Sequence, residues 1–351
     1  MPEQDLPLYP LKFVPIYKEK VWGGRGLEAL GRALPGGADT LIGESWELTD
    51  LASTTPSDGG GDANRSVVAN GPLRERTLHE LIQAYGPTLM GRVETSDNGG
   101  FPLLLKFLDA RQSPSIQIHP SPTYAKEHPE AHLKNEAWYI VDADPDAFIY
   151  KGIREGTTPD RFRNAVAAND AIVWDSILIK LPARPGDCHY LPSGTCHGLS
   201  PGVLIAEVQT ASDTTFRVFD WGRTARELHV EQAMSCIDFG PPRLDDYEKR
   251  SHIAGMFTTV TRLVMCEQFR IEKIRMVETY EQELPYDQPA VWMVLEGAGR
   301  IDPGNGAETV CFRRGETMLI PANLEQARVM LDEDTVWLEV TFPGTWKSQI
   351  A

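Results

Sequence analysis

Three short stretches of this chain place potential metal ligands and acid–base groups at strand spacing. Ser115-Ile-Gln117-Ile-His119-Pro120 alternates polar with apolar residues, so on extended chain Ser115, Gln117 and His119 share one face while Ile116 and Ile118 pack the other way. Lys134-Asn-Glu136-Ala-Trp138-Tyr repeats the device, with Lys134 and Glu136 on one face. In Gly186-Asp-Cys-His-Tyr-Leu-Pro192-Ser-Gly194-Thr-Cys-His197, a turn and a strand lead into a tight Pro-x-Gly turn that delivers His197 inward. An amide oxygen, two imidazoles and a carboxylate form a set that can hold zinc and still leave room for a water or a substrate oxygen. Gln117 stays open between ligation and plain hydrogen bonding, because amide oxygens are weak zinc ligands. His79, His229 and His252 stand alone and read as structural or exposed, and the His128/His132 pair as solvent-facing. Cys196 adjoins His197 and should face away from it, so a thiolate site built from Cys188 and Cys196 is disfavoured.

Such side chains need strands to hold them. The 26 prolines and 30 glycines punctuate short alternating or β-branched runs at 148–150, 171–181, 203–209, 216–219, 269–277, 291–295, 317–320 and 335–342, the pattern of an all-β sandwich or barrel with minor helices. A helix is predicted from Thr77, which is followed three residues on by Glu80, up to Gly86-Pro87; a second, partly helical stretch is predicted over 224–237. Segments 53–70 and 304–308 read as exposed loops. The frame G-x5-P-x-G-x-x-H of Gly186–His197 returns as G-x5-P-x-N-x-x-Q at Gly315, Pro321, Asn323 and Gln326, which points to two similar units and to positive φ at Gly194 and Asn323. With 351 residues, a two-domain chain is expected: a metal-binding catalytic domain over 1–222 with a helical insertion near 77–95, a partly helical linker over 223–255, and a C-terminal domain over 256–351 that lacks the ligand pattern.

Composition narrows the function. Lys+Arg 34 against Asp+Glu 50 gives a formal charge of −16, which opposes nucleic acid and anionic membranes as partners. A phosphate ester would need a local cluster of Lys and Arg to overcome that field. No apolar run approaches a bilayer span, the N-terminus lacks a secretory pattern, and the five scattered cysteines suggest reduced thiols, so a cytoplasmic protein is expected.

Taken together, Gln117-x-His119-Pro, Lys134-x-Glu136-x-Trp-Tyr, Pro192-x-Gly194-x-x-His197 and Glu207-Val-Gln-x-x-Ser-Asp213-x-Thr-Phe-Arg217-Val-Phe-Asp resemble the type I mannose-6-phosphate isomerases of the cupin superfamily, in their short bacterial form. Trp22-Gly-Gly, Gly43-Glu-Ser-Trp-Glu, Leu105-Lys106-Phe-Leu and Arg226-Glu-Leu-His extend the likeness over residues 12 to about 240. The resemblance implies two cupin-type β jelly-roll domains and an enzyme of carbohydrate metabolism that interconverts mannose 6-phosphate and fructose 6-phosphate through an enediol. It implies one Zn²⁺ per chain on Gln117, His119, Glu136 and His197, and substrate contacts from Lys106, Ser115, Lys134 and Arg217. Arg217 is implied as the active-site arginine, and a group among Glu207, Lys134 and Asp213 would shuttle the proton. These cations answer the requirement set by the net charge. The family's usual His-Ala-x-Gly is here His197-Gly198-Leu199-Ser200, and Phe216 replaces a common Tyr, departures that touch the pocket wall. Two rival readings are a non-catalytic, metal-containing sugar- or metabolite-binding cupin and an iron dioxygenase; Gln117 and the Lys/Arg set disfavour the second. The partner is then a small sugar phosphate, with a monomer or a homodimer both open.

Overall fold

The computed structural model describes residues 8–54, 61–240, 248, 250–278, 280–284, 286–324 and 326–343. Among them strands dominate and form two cupin-type β jelly rolls. In the first, a six-stranded antiparallel sheet runs Cys188–Leu191, Glu136–Ala143, Val203–Thr210, Leu103–Ala110, Ile42–Leu48, Ile16–Gly24. Its companion sheet runs Leu178–Pro182, Phe148–Ile153, His197–Leu199, Ile116–Ile118, Phe216–Phe219. The second jelly roll pairs a seven-stranded sheet with a four-stranded one. The seven-stranded sheet recruits Leu11–Lys12 from the N-terminal end, opposite Leu319 and Met318, and takes Ser251–Ala254 as its far edge. Residues 55–60 of the loop expected over 53–70, and 241–247 and 249 of the expected linker, lie outside the described residues. The rest of 53–70 is more ordered than expected: Asn64–Arg65 pairs with Asp50–Leu51, and Ser66 and Val68 are buried.

Both faces of the six-stranded sheet are covered, and its central strands therefore read as nearly continuous apolar runs rather than as clean alternations. Leu105, Phe107, Ala137, Tyr139, Ala206 and Val208 point away from the barrel interior and join the largest apolar cluster with Ile271, Val291, Met293, Leu338 and Val340 of the second jelly roll. Lys106, Glu136, Trp138 and Glu207 alternate with them and point inward. At roughly 25 cal/mol per Å² of apolar surface, a layer of this kind contributes more than any single polar contact.

The helices follow their caps. Thr77 and Glu80 form a reciprocal capping box for Leu78–Met90, and the helix continues through Pro87 beyond its expected end because Tyr85 (φ −137°) breaks the geometry before it. In the 171–181 stretch, expected as one strand, Asp170 caps a helical turn over Ala171–Trp174 and the strand starts only at Leu178. Helices Pro122–Glu127 and Pro159–Ala168 were not foreseen; Ser121 and Thr158 cap them, each followed by Pro at the first helical position. Of 224–237 only Val230–Cys236 is helical.

The repeated frame is present in the backbone: φ is +86° at Gly194, +59° at Asn323, +92° at Gly186 and +81° at Gly315. The echo extends to the sheets. Trp46, Lys106, Glu207, Trp138 and His189 lie side by side across the first jelly roll, and Arg262, Glu272, Glu339, Trp292 and Met318 form the matching row in the second. A Cβ at Gly194 would stand 2.7 Å from the Cys236 carbonyl oxygen, whereas at Gly186 it meets nothing within 4 Å. Gly186→Ala should therefore cost only its left-handed backbone, about 1–2 kcal/mol. Gly194→Ala should cost clearly more and also weaken metal binding through His197, a ranking that urea unfolding with metal analysis will check.

Candidate metal centre and active site

Strand pairing brings distant residues into register. In the five-stranded sheet Arg217, Gln117, His197 and Lys151 are cross-strand neighbours in one row. In the facing sheet Glu136 lies opposite Gln209, one pleat from the Glu207 row. His119, Glu136 and His197 converge between the sheets, with ligand atoms within 4.8 Å of one another and all three side chains buried. Gln117 flanks them. Its amide nitrogen lies 3.2 Å from His197 Nε2 and its oxygen accepts from Ser115 Oγ at 3.3 Å; a half-turn of the amide exchanges the two faces.

The tautomers follow from the backbone. His119 Nδ1 lies 3.0 Å from the Thr214 carbonyl and His197 Nδ1 lies 2.8 Å from the Thr195 carbonyl, so each Nδ1 carries the hydrogen and each Nε2 turns a lone pair inward. Burial, reinforced by Lys134, holds His119 neutral, with its pKa pushed down to about 3; burial likewise lowers His197. Burial alone would raise the Glu136 carboxyl, yet Lys134 and the two histidines hold it well below the usual range. Its oxygens lie 3.1 and 3.2 Å from the two Nε2 atoms, and Oε1 has no hydrogen-bond donor among the described residues. Lone pairs facing a buried carboxylate repel unless a cation lies between them, and two imidazole nitrogens with carboxylate oxygen are a donor set suited to zinc. The residues present fit a divalent metal.

Above this cluster opens a cleft lined by Ser115, Gln117, Lys134, Glu207, Asp213 and Arg217, among others, so that every substrate and catalytic residue expected from the sequence, Lys106 included, faces one space. Gly198 and Leu199 form part of its wall. Five cations, Lys20, Lys106, Lys134, Arg217 and Arg226, stand against Glu44, Glu207 and Asp213, so the cleft is positive inside an acidic chain. Lys134 Nζ lies 2.9 Å from Glu136, Lys106 Nζ lies 3.0 Å from Glu207, and Trp138 Nε1 donates to Glu207 at 3.0 Å. Arg217, 2 % exposed, donates to the Glu227 carbonyl. Burial pushes the Glu207 carboxyl up, with Lys106 and Lys134 opposing.

Lys20, Glu44, Trp46 and Arg226 complete the wall without having been assigned a role from the sequence. Burial would raise Glu44, but Lys20 and Lys106, with the Trp46 indole 2.7 Å away, bring its pKa down to about 2. Glu44 and Trp46 alternate within Gly43-Glu-Ser-Trp-Glu and Arg226 opens Arg226-Glu-Leu-His, both among the motifs of the resemblance; Lys20 had no signal beyond its charge. Of the residues set aside, Cys196 lies in the apolar cluster behind the five-stranded sheet, His132 is exposed, and His128 is half-buried and stacks on Tyr124. Gln326 is exposed rather than turned inward like His197.

Fold and site together define a cupin-type protein with a buried metal site at the floor of a cationic cleft. The family model for the phosphomannose isomerase type I catalytic domain matches residues 11–149. The mannose-6-phosphate isomerase ManA of Bacillus subtilis is 33 % identical over 328 residues, covering 91 % of this chain and 95 % of its own. A crystal structure of the mannose 6-phosphate isomerase from Bacillus subtilis superposes with a TM-score of 0.79 at 31 % identity, over 94 % of this chain and 98 % of that one. A mannose 6-phosphate isomerase bound with zinc and yttrium shares the fold at a TM-score of 0.70 and 16 % identity, over 95 % and 99 % of the two chains. The chain belongs to the type I phosphomannose isomerase family and is an isomerase.

Because the carboxylate–imidazole cluster exists only in the folded chain, a bound divalent ion should raise stability by about 2.7 kcal/mol once free metal exceeds its Kd 100-fold. Thermal unfolding with and without a chelator should show this difference, and His119→Ala or Glu136→Gln should abolish it.

Proposed function

We propose that this chain interconverts mannose 6-phosphate and fructose 6-phosphate as a zinc-dependent aldose–ketose isomerase acting through an enediol. The observation that carries the reading is the placement of Glu207, buried and held by Lys106 and Trp138, in the same cleft as a His/Glu/His cluster and five cations. His119, Glu136 and His197, with Gln117, would hold the ion, which when bound supplies Lewis-acid polarisation of a sugar oxygen.

The chain's own residues account for the rest. Lys106 and Ser115, at the cleft wall, would grip the phosphate, as ammonium and hydroxyl groups do. Arg217 would hold the sugar oxygens on which negative charge develops. The carbon-bound hydrogen at C2 leaves as a proton to a base and returns to C1, while the O2 proton moves to O1. Among Glu207, Lys134 and Asp213, Glu207 suits the carbon proton best: burial raises its carboxyl, which makes it a stronger base than an exposed carboxylate. Lys134, within reach of both Glu136 and the cleft, would steady the oxygens. Residues 1–222 would then form the catalytic unit and 256–351 a partner without ligands. Among the described residues no helix is long and apolar enough to cross a membrane, and four of the five cysteines are buried and all are free, which supports a reduced, cytoplasmic setting.

Purified, zinc-loaded protein given mannose 6-phosphate should form fructose 6-phosphate. Glu207→Gln should lower kcat by about 10²–10⁴ with unchanged zinc content. Silence of the parent with zinc, manganese and cobalt alike would refute the reading.

A further inference from the structure

A second cleft, of ≈ 400 Å³, lies where the two jelly rolls meet. It shares a wall with the catalytic one: strand Ile42–Leu48 turns Glu44 and Trp46 toward the catalytic cleft and Glu47 toward this one. Lys12, Arg32, Arg74, Arg313 and Arg314 line it against two carboxylates, Glu47 and Glu316. In a chain of formal charge −16, such an excess of cations in one concavity concentrates positive potential there.

Internal pairing accounts for only part of that charge. Arg32 forks onto both oxygens of Glu47 at 2.6 and 3.1 Å and also donates to the Gly315 carbonyl, which ties the two jelly rolls together. Lys12 meets Glu316 at 2.7 Å, while Arg313 reaches the same carboxylate only at 3.7 Å. Arg74, from the first jelly roll, and Arg314, from the second, have no side-chain partner among the described residues. Thr317 lines the same cleft, is 6 % exposed, and its hydroxyl has no hydrogen-bond partner among the described residues.

We propose that the cleft binds a small phosphorylated anion, gripped by the guanidinium groups of Arg74 and Arg314 from opposite jelly rolls. Guanidinium forks match the oxygen geometry of phosphoryl groups, and two unpaired guanidinium groups favour a dianion over a neutral sugar or a single carboxylate. The site is separate from the proposed catalytic cleft and does not depend on its chemistry.

Equilibrium dialysis of the full, metal-loaded chain against labelled inorganic phosphate at constant ionic strength tests this. The Arg74→Ser/Arg314→Ser chain should bind one phosphate fewer than the parent, or bind it at least tenfold more weakly, while Arg74→Lys/Arg314→Lys keeps the stoichiometry at reduced affinity. Both arginines are exposed, so both variants should unfold at the parent's temperature and, without added phosphate, turn over mannose 6-phosphate as the parent does. Equal phosphate binding by parent and serine variant would overturn the proposal, as would loss of turnover in the serine variant.

Discussion

A carboxylate with no exposure, set between two imidazoles whose lone pairs face it, is the constraint from which the rest of this structure follows. Burying Glu136 is tolerable only with positive charge beside it and with its neighbours fixed in orientation. The Thr214 and Thr195 carbonyls fix the imidazoles, Lys134 supplies charge, and a divalent cation held there would complete the balance. The same logic spreads along the cleft: Lys106 lies between Glu207 and Glu44, and Lys20 supports Glu44 in turn. A chain of alternating signs results, in which removing one member leaves another buried and unpaired.

The second jelly roll shows what the frame becomes without that constraint. Trp292 donates to Glu339 at 3.1 Å, just as Trp138 donates to Glu207, and the two pairs occupy matching places in their sheets. Glu272 stands where Lys106 does, and Ala290, two residues before Trp292, stands where Glu136 precedes Trp138. Tyr286 donates its hydroxyl to Glu339, and Trp337 stacks on Trp292 with ring centroids 4.3 Å apart, so aromatic packing occupies the interior. Where the first barrel holds charge, the second is filled with rings.

Much of this was legible in the sequence because strand alternation is a local property. Gln117 with His119, and Lys134 with Glu136, were placed on common faces by their spacing alone, and the positive φ of Gly194 and Asn323 followed from the repeated turn. What the sequence could not give was pairing across long separations: His197 sits beside Gln117 from 80 residues away. Lys20 enters the cleft through such a pairing, and nothing in its surroundings distinguishes it from a surface charge. The helices at 122–127, 159–168 and 171–174 escaped because their signal is a cap of one or two residues, weaker than the β-branched runs nearby.

The outward face of the six-stranded sheet gives the second jelly roll a function although none of its described residues joins the His119, Glu136 and His197 cluster. Leu105, Phe107, Tyr139 and Val208 are screened from water by Val291, Leu338 and Val340, and the strands that display them hold Lys106, Glu136 and Glu207 on their reverse side. A fragment ending between the barrels would present that greasy surface as a template for self-association and lose the rigidity of its catalytic wall at once. The two halves therefore cannot be traded between proteins as separate cassettes; they are inherited, or redesigned, as one piece.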